Sequence, residues 1–275
     1  MTTPLDAAVA QLGPVKVIYT DLDNTLLGPA GSLLTAADGS PTARPAAGLV
    51  AAAEHGITVV PVSGRGLRQL RNDARLMGLT DCIAEAGAVI LRNDEVRYEW
   101  GECPRDLAAN PHDAMLVSGA LEAVMAAFPG DIRLFEPWHR GREGGHLLHG
   151  RVDTAVADRA LAAAGCDWAY LRDNGATGGW EGRRVRAYHL LPRGVGKAPA
   201  VADDLRARGL QPSEAVAIGD SIEDLTMAPE VGLFVMVANG HAPSDGSVVS
   251  APGAMGEGFA DVVEAVVRAQ ARAPR

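Results

Sequence analysis

Two aspartates one residue apart, Asp21 and Asp23, close the apolar run Val15-Lys16-Val17-Ile18-Tyr19-Thr20. Ionised carboxylates held that close repel each other. They make sense around a shared cation or in a shared reaction, although solvated acids at strand ends are also common. Polar residues recur after later apolar runs: Ser63-Gly64-Arg65, then Asp220, Ser221 and Asp224, then Asn239. A hard dication takes oxygen ligands, and Asp21 and Asp220 are suitable ones. Thr25, Ser63 and backbone N–H groups can donate to phosphate oxygens. Asp23 can protonate a leaving oxygen and later take a proton from water. A basic residue completes the set. Of the 25 Lys and Arg residues only Lys16 and Lys197 are lysines. In a chain that otherwise uses arginine, a lysine marks a place for a compact point charge rather than a planar fork. Lys197 can offset charge that phosphate and carboxylates leave over. Together these parts suit phosphoryl transfer.

The elements must bring these parts to one place. Short apolar runs rich in β-branched residues read as buried strands. Side chains on a strand alternate, so Asp21 and Asp23 point to the same side if strand geometry persists through them. Strands are expected near 57–62 and 82–85, with helices over 45–54 and 67–77, the rhythm of a parallel α/β sheet. The rhythm then changes. Asn93-Asp94 signals a hairpin; helices are expected over 113–128 and 154–164, and strands at 132–135, 145–152, 168–172 and 185–190. The Gly-rich stretch 174–182 reads as a mobile loop. The α/β rhythm resumes with a helix over 197–208, strands at 215–218 and 233–237, a short helix from 222 and a last helix over 259–271. The tract 242–258 reads as an ordered loop. The expectation is an α/β fold: a Rossmann-like core with a central parallel sheet, made of 1–91 and 193–275, with an α+β module inserted at 92–192. In open α/β sheets ligands bind at the carboxyl ends of the strands, where the polar residues fall.

Composition narrows the partners. The chain has 275 residues, 47% of them hydrophobic, enough for a substantial core. Its net charge of −9 argues against a general nucleic-acid binder. No apolar run approaches the roughly 18 residues of a membrane span, and the first residues lack a signal-peptide pattern. A cytoplasmic, soluble monomer or homodimer acting on a small-molecule phosphate ester, without nucleic-acid or membrane partners, is expected. Cys82, Cys103 and Cys166 have no metal-ligand spacing and read as reduced thiols.

The motifs together resemble the haloacid-dehalogenase-like hydrolase superfamily, in particular its Mg²⁺-dependent phosphatases. Asp21-Leu22-Asp23-Asn24-Thr25 resembles the first motif, Val62-Ser63-Gly64-Arg65 the second, Lys197 the third, and Gly219-Asp220-Ser221-Ile222-Glu223-Asp224 the fourth. An insertion between the second and third motifs is similar to the C2 type of cap, shared by the Cof-like sugar phosphatases. Glu85-Ala86-Gly87-Ala88, the run 191–197 and Asn239-Gly240 resemble landmarks of that branch. The resemblance implies Asp21 as nucleophile, Asp23 as acid/base and Asp220 as a metal ligand. The carbonyl of Asp23 would also bind Mg²⁺, and Asp224 would support the metal or orient its water. Phosphate would meet Thr25, Ser63, Gly64, Lys197 and Asn239. Three departures stand out: Asn24 for the usual Gly, Glu223 for a frequent Asn, and Ala86 for a frequent Asn.

Substrate choice is expected to come from the inserted module. Residues 131–193 hold ten Arg against eight Asp and Glu, a cationic surplus suited to an anionic or polyhydroxylated ligand. Trp138, His139, Arg184, Arg186 and Tyr188 are candidate contacts, the last three sharing one strand face. His146 and His149 cannot share a strand face and are not read as a metal pair. The function expected is hydrolysis of a small phosphorylated metabolite, of sugar phosphate, phosphoglycolate or sugar-phosphoglycerate type, through an aspartyl-phosphate. The alternatives are a phosphosugar mutase of the phosphomannomutase type and a catalytically silent sugar-phosphate-binding regulator. The intact Asp21, Asp23, Lys197 and Asp220 speak against the silent regulator.

Overall fold

The computed structural model describes residues 3–180, 182–241 and 246–272. In chain order its strands are β1 (Val17–Thr20), β2 (Thr58–Pro61), β3 (Cys82–Ala84), β4 (Val89–Arg92), β5 (Glu95–Tyr98), β6 (Ile132–Leu134), β7 (His146–Gly150), β8 (Ala169–Trp180), β9 (Arg183–Pro192), β10 (Ala215–Gly219), β11 (Leu233–Met236) and β12 (Val249–Ser250). Its α-helices are α1 (Pro4–Val9), α2 (Arg44–Glu54), α3 (Leu67–Leu76), α4 (Pro111–Val117), α5 (Ala120–Ala127), α6 (Thr154–Ala163), α7 (Lys197–Arg208), α8 (Ile222–Leu225) and α9 (Gly256–Arg272).

The chain divides into two compact units. The first comprises Met1–Ser63, Asp73–Ile83 and Lys197–Arg275; the second comprises Gly64–Asn72 and Ala84–Gly196. The expected cuts at 91/92 and 192/193 differ from these. Strands β4 and β5 and the residues just after Ser63 join the second unit, because the β4–β5 hairpin and the 64–72 segment make their contacts there.

The first unit is built on a five-stranded sheet in the order β12-β11-β10-β1-β2. The pairings are parallel throughout, and a parallel bridge from Val62 to Ile83 brings in the segment of β3. Strand β1 is buried along its whole length, as its unbroken apolar pattern requires of a strand covered on both faces. From β1 the chain moves to β2 on one side, and it returns to β10 on the other. The carboxyl ends of β1 and β10 therefore flank the point where the strand order reverses, the place where such sheets open a crevice. Two elements escaped the sequence reading: α1, six residues with a Thr3–Asp6 capping box, and β12, two residues long. Both are too short for periodicity to register. Part of the expected 242–258 loop, residues 242–245, lies outside the described residues.

The second unit holds a four-stranded antiparallel sheet in the order β6-β7-β9-β8. Its core packs Met115, Val124 and Leu161 from α4, α5 and α6 against Leu148, Leu171, Tyr188 and Leu190. The helix expected over 113–128 is two helices, since Gly119 takes a left-handed φ of 80° between them. Of the stretch expected as a mobile loop, residues 174–180 are instead the outer part of β8, paired with β9 through two irregularities, and residue 181 lies outside the described residues. Its glycines permit those bulges. The β4–β5 turn has Asn93 and Asp94 at φ 51° and 64°, the backbone the Asn-Asp signal anticipated. Among the described residues no helix is long and apolar enough to cross a membrane.

Candidate active site

Asp21 directly follows β1, Asp220 directly follows β10, and Lys197 is the first residue of α7. The strand ends at Thr20, so strand alternation does not extend to Asp23. Instead Asp23 is exposed and bridges Leu27, while Asn24 turns the chain at φ 66°. Asn is among the few non-glycine residues that accept this backbone readily, which accounts for the first departure. Ala86 likewise takes a left-handed φ of 60°, so the Asn usual there would serve the backbone as well as any contact.

The centre of the site is one ammonium between two carboxylates. Lys197 Nζ donates to Asp21 Oδ1 and to Asp224 Oδ1, each at 2.6 Å. All three side chains are nearly inaccessible, at 5% for Lys197, 10% for Asp21 and 1% for Asp224. Ligand oxygens of Asp21, Asp220 and Asp224 lie within 4.8 Å of one another. The second oxygen of Asp224 accepts from the Asp220 and Ser221 N–H groups at 3.1 and 3.0 Å and from the Ser221 hydroxyl at 2.7 Å. Asp224 thus closes the first turn of α8 as a capping box. Gly219 makes room for it: a Cβ there would stand 2.2 Å from the Asp224 Cβ and 2.6 Å from its carboxyl carbon. Thr25 Oγ1 donates to Asp220 Oδ1 at 3.1 Å.

The electrostatics are those of a crowded anionic site. Burial pushes the Asp21 carboxyl up; Lys197 opposes this, and Asp224 and Asp220 add to it. Burial, then Asp224, also raises Asp220, with Thr25 opposing. Burial alone would lift Asp224 too, but Lys197 and the Ser221 bonds hold it below its ordinary value. For Lys197 burial works downward, yet Asp21, Asp224 and then Glu223 keep its charge firmly in place. Glu223, the second departure, therefore belongs to the electrostatics of this site. Three carboxylates around one ammonium leave an excess of negative charge that a divalent cation fits.

The remaining candidates are distributed as follows. Ser63 is buried, and its N–H donates to Ile83 O at 2.9 Å. Gly64 opens the second unit. The Asn239 side chain is engaged with backbone, donating to Asn24 O at 2.9 Å and accepting from Met255 N–H at 2.6 Å. It fastens the loop after β1 to the start of α9. In the second unit Tyr188 is not a surface contact. It is 1% exposed in the helix-covered core, its hydroxyl bonded at 3.2 Å to both Val152 N and Val152 O. The strand face it shares with Arg184 and Arg186 runs out from under the helices, which leaves those two arginines exposed; Arg186 pairs with Asp173. Trp138 is 51% exposed, whereas His139 is largely buried. The sequence reading missed a polar stack on the opposite sheet face. There Arg133 donates to His149 Nε2 at 2.6 Å and lies 4.0 Å over the Trp180 ring, and His149 stacks between Trp180 and Phe135. The pairing of β6 with β7 sets Arg133 opposite His149, a register that only the folded sheet shows.

No family model matches the chain. The chain is similar to a phosphoglycolate phosphatase of Methanoculleus marisnigri, with 39% identity over 80 residues, 28% of this chain and 34% of that protein. The match thus spans about a third of that relative's length. Among solved structures, a haloacid dehalogenase-like hydrolase from Bacteroides thetaiotaomicron superposes with a TM-score of 0.61 at 17% identity, covering 92% of this chain and 99% of that one. The sucrose-phosphatase from Synechocystis sp. PCC6803, solved with sucrose and phosphate, superposes with a TM-score of 0.60 at 15% identity, covering 94% and 99%. The chain has the fold of the haloacid-dehalogenase-like hydrolases, with an inserted α+β cap.

Proposed function

We propose that this chain is a phosphoric monoester hydrolase that removes phosphate from a small phosphorylated metabolite. The observation that carries the reading is the Lys197 ammonium fixed between Asp21 and Asp224 beside Asp220. A carboxylate nucleophile and a phosphate are both anionic, and this arrangement concentrates the compensating charge where they meet. Asp21, Asp220 and the Asp23 carbonyl would hold Mg²⁺. When bound, that ion would neutralise phosphate oxygens and orient them.

The chain's own residues then have distinct tasks. An Asp21 carboxylate oxygen attacks phosphorus, forming an O–P bond as the ester P–O bond breaks. Asp23, exposed two residues beyond Asp21, gives its proton to the departing alkoxide. A water then attacks phosphorus, Asp23 takes back a proton, and the Asp21–phosphorus bond breaks to release inorganic phosphate. Lys197 holds Asp21 and offsets phosphate charge. Asp224 positions Lys197 through one oxygen and the Asp220 backbone through the other. Thr25 orients Asp220. Ser63 and the N–H of Gly64 would donate to phosphate oxygens, and Asn239 would act by holding the loop after β1. Specificity would fall to Trp138, Arg184 and Arg186 of the second unit.

The relative matched over 80 residues is a phosphoglycolate phosphatase, which supports a small glycolate- or sugar-type phosphate as substrate. The test is phosphate release across a panel of phosphorylated metabolites, with Mg²⁺ and with chelator. Release confined to the Mg²⁺ arm supports the reading. Isomerisation without release, or no turnover of any phosphate ester, contradicts it.

A further inference from the structure

The second unit contains a group of three imidazoles that phosphate hydrolysis does not use. His112 from α4, His139 from the turn after β6 and His146 from β7 each place a ring nitrogen within 4.8 Å of the other two. Their ring centroids are 4.1, 5.3 and 5.7 Å apart. Three imidazoles on one tetrahedral ion, with metal–nitrogen bonds of about 2.0–2.1 Å, put ring centroids roughly 5 Å apart. Small side-chain rotations therefore suffice to close the group on an ion.

The hydrogen bonds around the rings fix which nitrogens face inward. His146 Nε2 lies 3.1 Å from the His112 carbonyl, which can only accept. That nitrogen carries the proton, and Nδ1 is a bare lone pair. His146 is fully buried, and its Nδ1 has no hydrogen-bond partner. His112 Nδ1 lies 3.0 Å from the Asp113 carboxylate, so it too carries the proton, and Nε2 is left as an acceptor. His139 Nδ1 accepts from Leu147 N–H over a long 3.3 Å, a contact an ion would replace. His112 and His146 are thus oriented through their outer nitrogens by a carboxylate and a backbone carbonyl, as metal-bound histidines usually are. An acceptor buried without a partner is costly, and an ion would remove that cost.

The charges nearby are also suitable. Neutral imidazole is the form of the three rings that binds metal. Arg142 is the cation beside them. Its guanidinium is 3.9 Å from the buried Glu85 carboxylate and donates to Gly64 O at 2.7 Å. Glu143, bonded by Tyr98 at 2.7 Å, and Asp113 add further negative charge. Counting Glu85, Glu143 and Asp113 against Arg142, the surroundings are anionic.

We propose that His112, His139 and His146 form a second metal site, for a first-row transition dication of the Zn²⁺ class. Imidazole ligands select such ions, whereas an all-oxygen site suits Mg²⁺. The ion fastens α4, the turn after β6 and β7 to one another, and the partly open side at His112 admits it and leaves a position for water.

The test uses Co²⁺ as the probe, on the full chain freed of metal and then saturated with Mg²⁺ to fill the carboxylate site. One equivalent of Co²⁺ is expected to bind, with the intense visible bands of a tetrahedral nitrogen site, and to raise Tm. Zn²⁺ should displace it. His112→Gln and His139→Gln, at positions that retain some exposure, should each weaken binding at least about tenfold, while folding is verified by circular dichroism. Asp21→Asn and Asp220→Asn should leave the Co²⁺ spectrum unchanged. Absence of Co²⁺ uptake in the presence of Mg²⁺ would overturn the proposal. So would equal uptake by the His112→Gln/His139→Gln double variant, or loss of the spectrum in the aspartate variants.

Discussion

Replacing Lys197 with Met keeps the side chain's length and removes its charge, and the structure sets the size of the effect. Lys197 is 5% exposed, and its two partners are as deeply placed. Removing one member of a buried ion pair costs about 3–5 kcal/mol, because the remaining charge is left uncompensated. Here two carboxylates lose their shared cation, so the upper part of that range is expected in metal-free protein near neutral pH. The pH dependence follows from the shifts. Asp21 already titrates above its ordinary range through burial, and without Lys197 it titrates higher still. A raised carboxyl makes the ionised form the costly one. The deficit is therefore fully present above the folded-state pKa and fades as pH falls and Asp21 takes up a proton. Lys197 in the wild type has a raised pKa, so its contribution is intact below its ordinary value of about 10.5. Asp224 is lowered, and its contribution is lost only below its ordinary range of about 3.9. Between the ordinary Asp224 range and the ordinary Lys197 value the difference between variant and wild type thus reports Asp21 and Asp224, both of which lose Lys197 and titrate higher in the variant. The assay is urea unfolding of both proteins in EDTA at several pH values in that window. A difference below about 1 kcal/mol, the size of an exposed pair, would refute the reasoning, as would a deficit that grows toward acid pH.

Asp21→Asn should abolish phosphate release yet unfold at urea concentrations equal to or above those of wild type in EDTA, since it removes a buried charge that burial disfavours. Gly219→Ala should cost about 1–3 kcal/mol and lower kcat, because its Cβ would meet Asp224 at 2.2 Å; urea unfolding and steady-state kinetics check both. Tyr188→Phe should lose about 1 kcal/mol with kcat/KM unchanged, as the hydroxyl bonds the Val152 backbone. Arg184→Ala/Arg186→Ala should lower kcat/KM for the physiological substrate but not for a generic aryl phosphate; unchanged kinetics with both would move the specificity search to Trp138 and the Arg133–His149–Trp180 stack.

The first unit was legible because its signals are local. An apolar run followed by a polar residue fixes both the strand and the group at its end, and four such ends, at Asp21, Ser63, Asp220 and Asn239, occur in one chain. The rarity of lysine pointed to Lys197 before any contact was known. Less legible was what the surroundings do to each group. That Asn239 is engaged by Asn24 and Met255 depends on a loop closing across more than 200 residues of sequence. Tyr188 was misplaced for a related reason: alternation assigns a strand face correctly but does not say where along that face the helices stop covering it. The His112, His139 and His146 group was invisible because its members lie on a helix, a turn and a strand. The pair that sequence spacing did examine, His146 and His149, falls on opposite faces of β7, as alternation requires.

The central claim is that Asp21 carries the phosphoryl group. It is tested most directly by mixing the Mg²⁺-loaded protein with a turned-over phosphate ester, quenching with borohydride and sequencing the peptide around residue 21 by mass spectrometry. An acyl-phosphate at that carboxyl is reduced to homoserine. Homoserine at position 21, dependent on substrate and absent without it, is the predicted result. An unmodified Asp21 in protein that is releasing phosphate, or the label at Asp23 instead, would contradict the account.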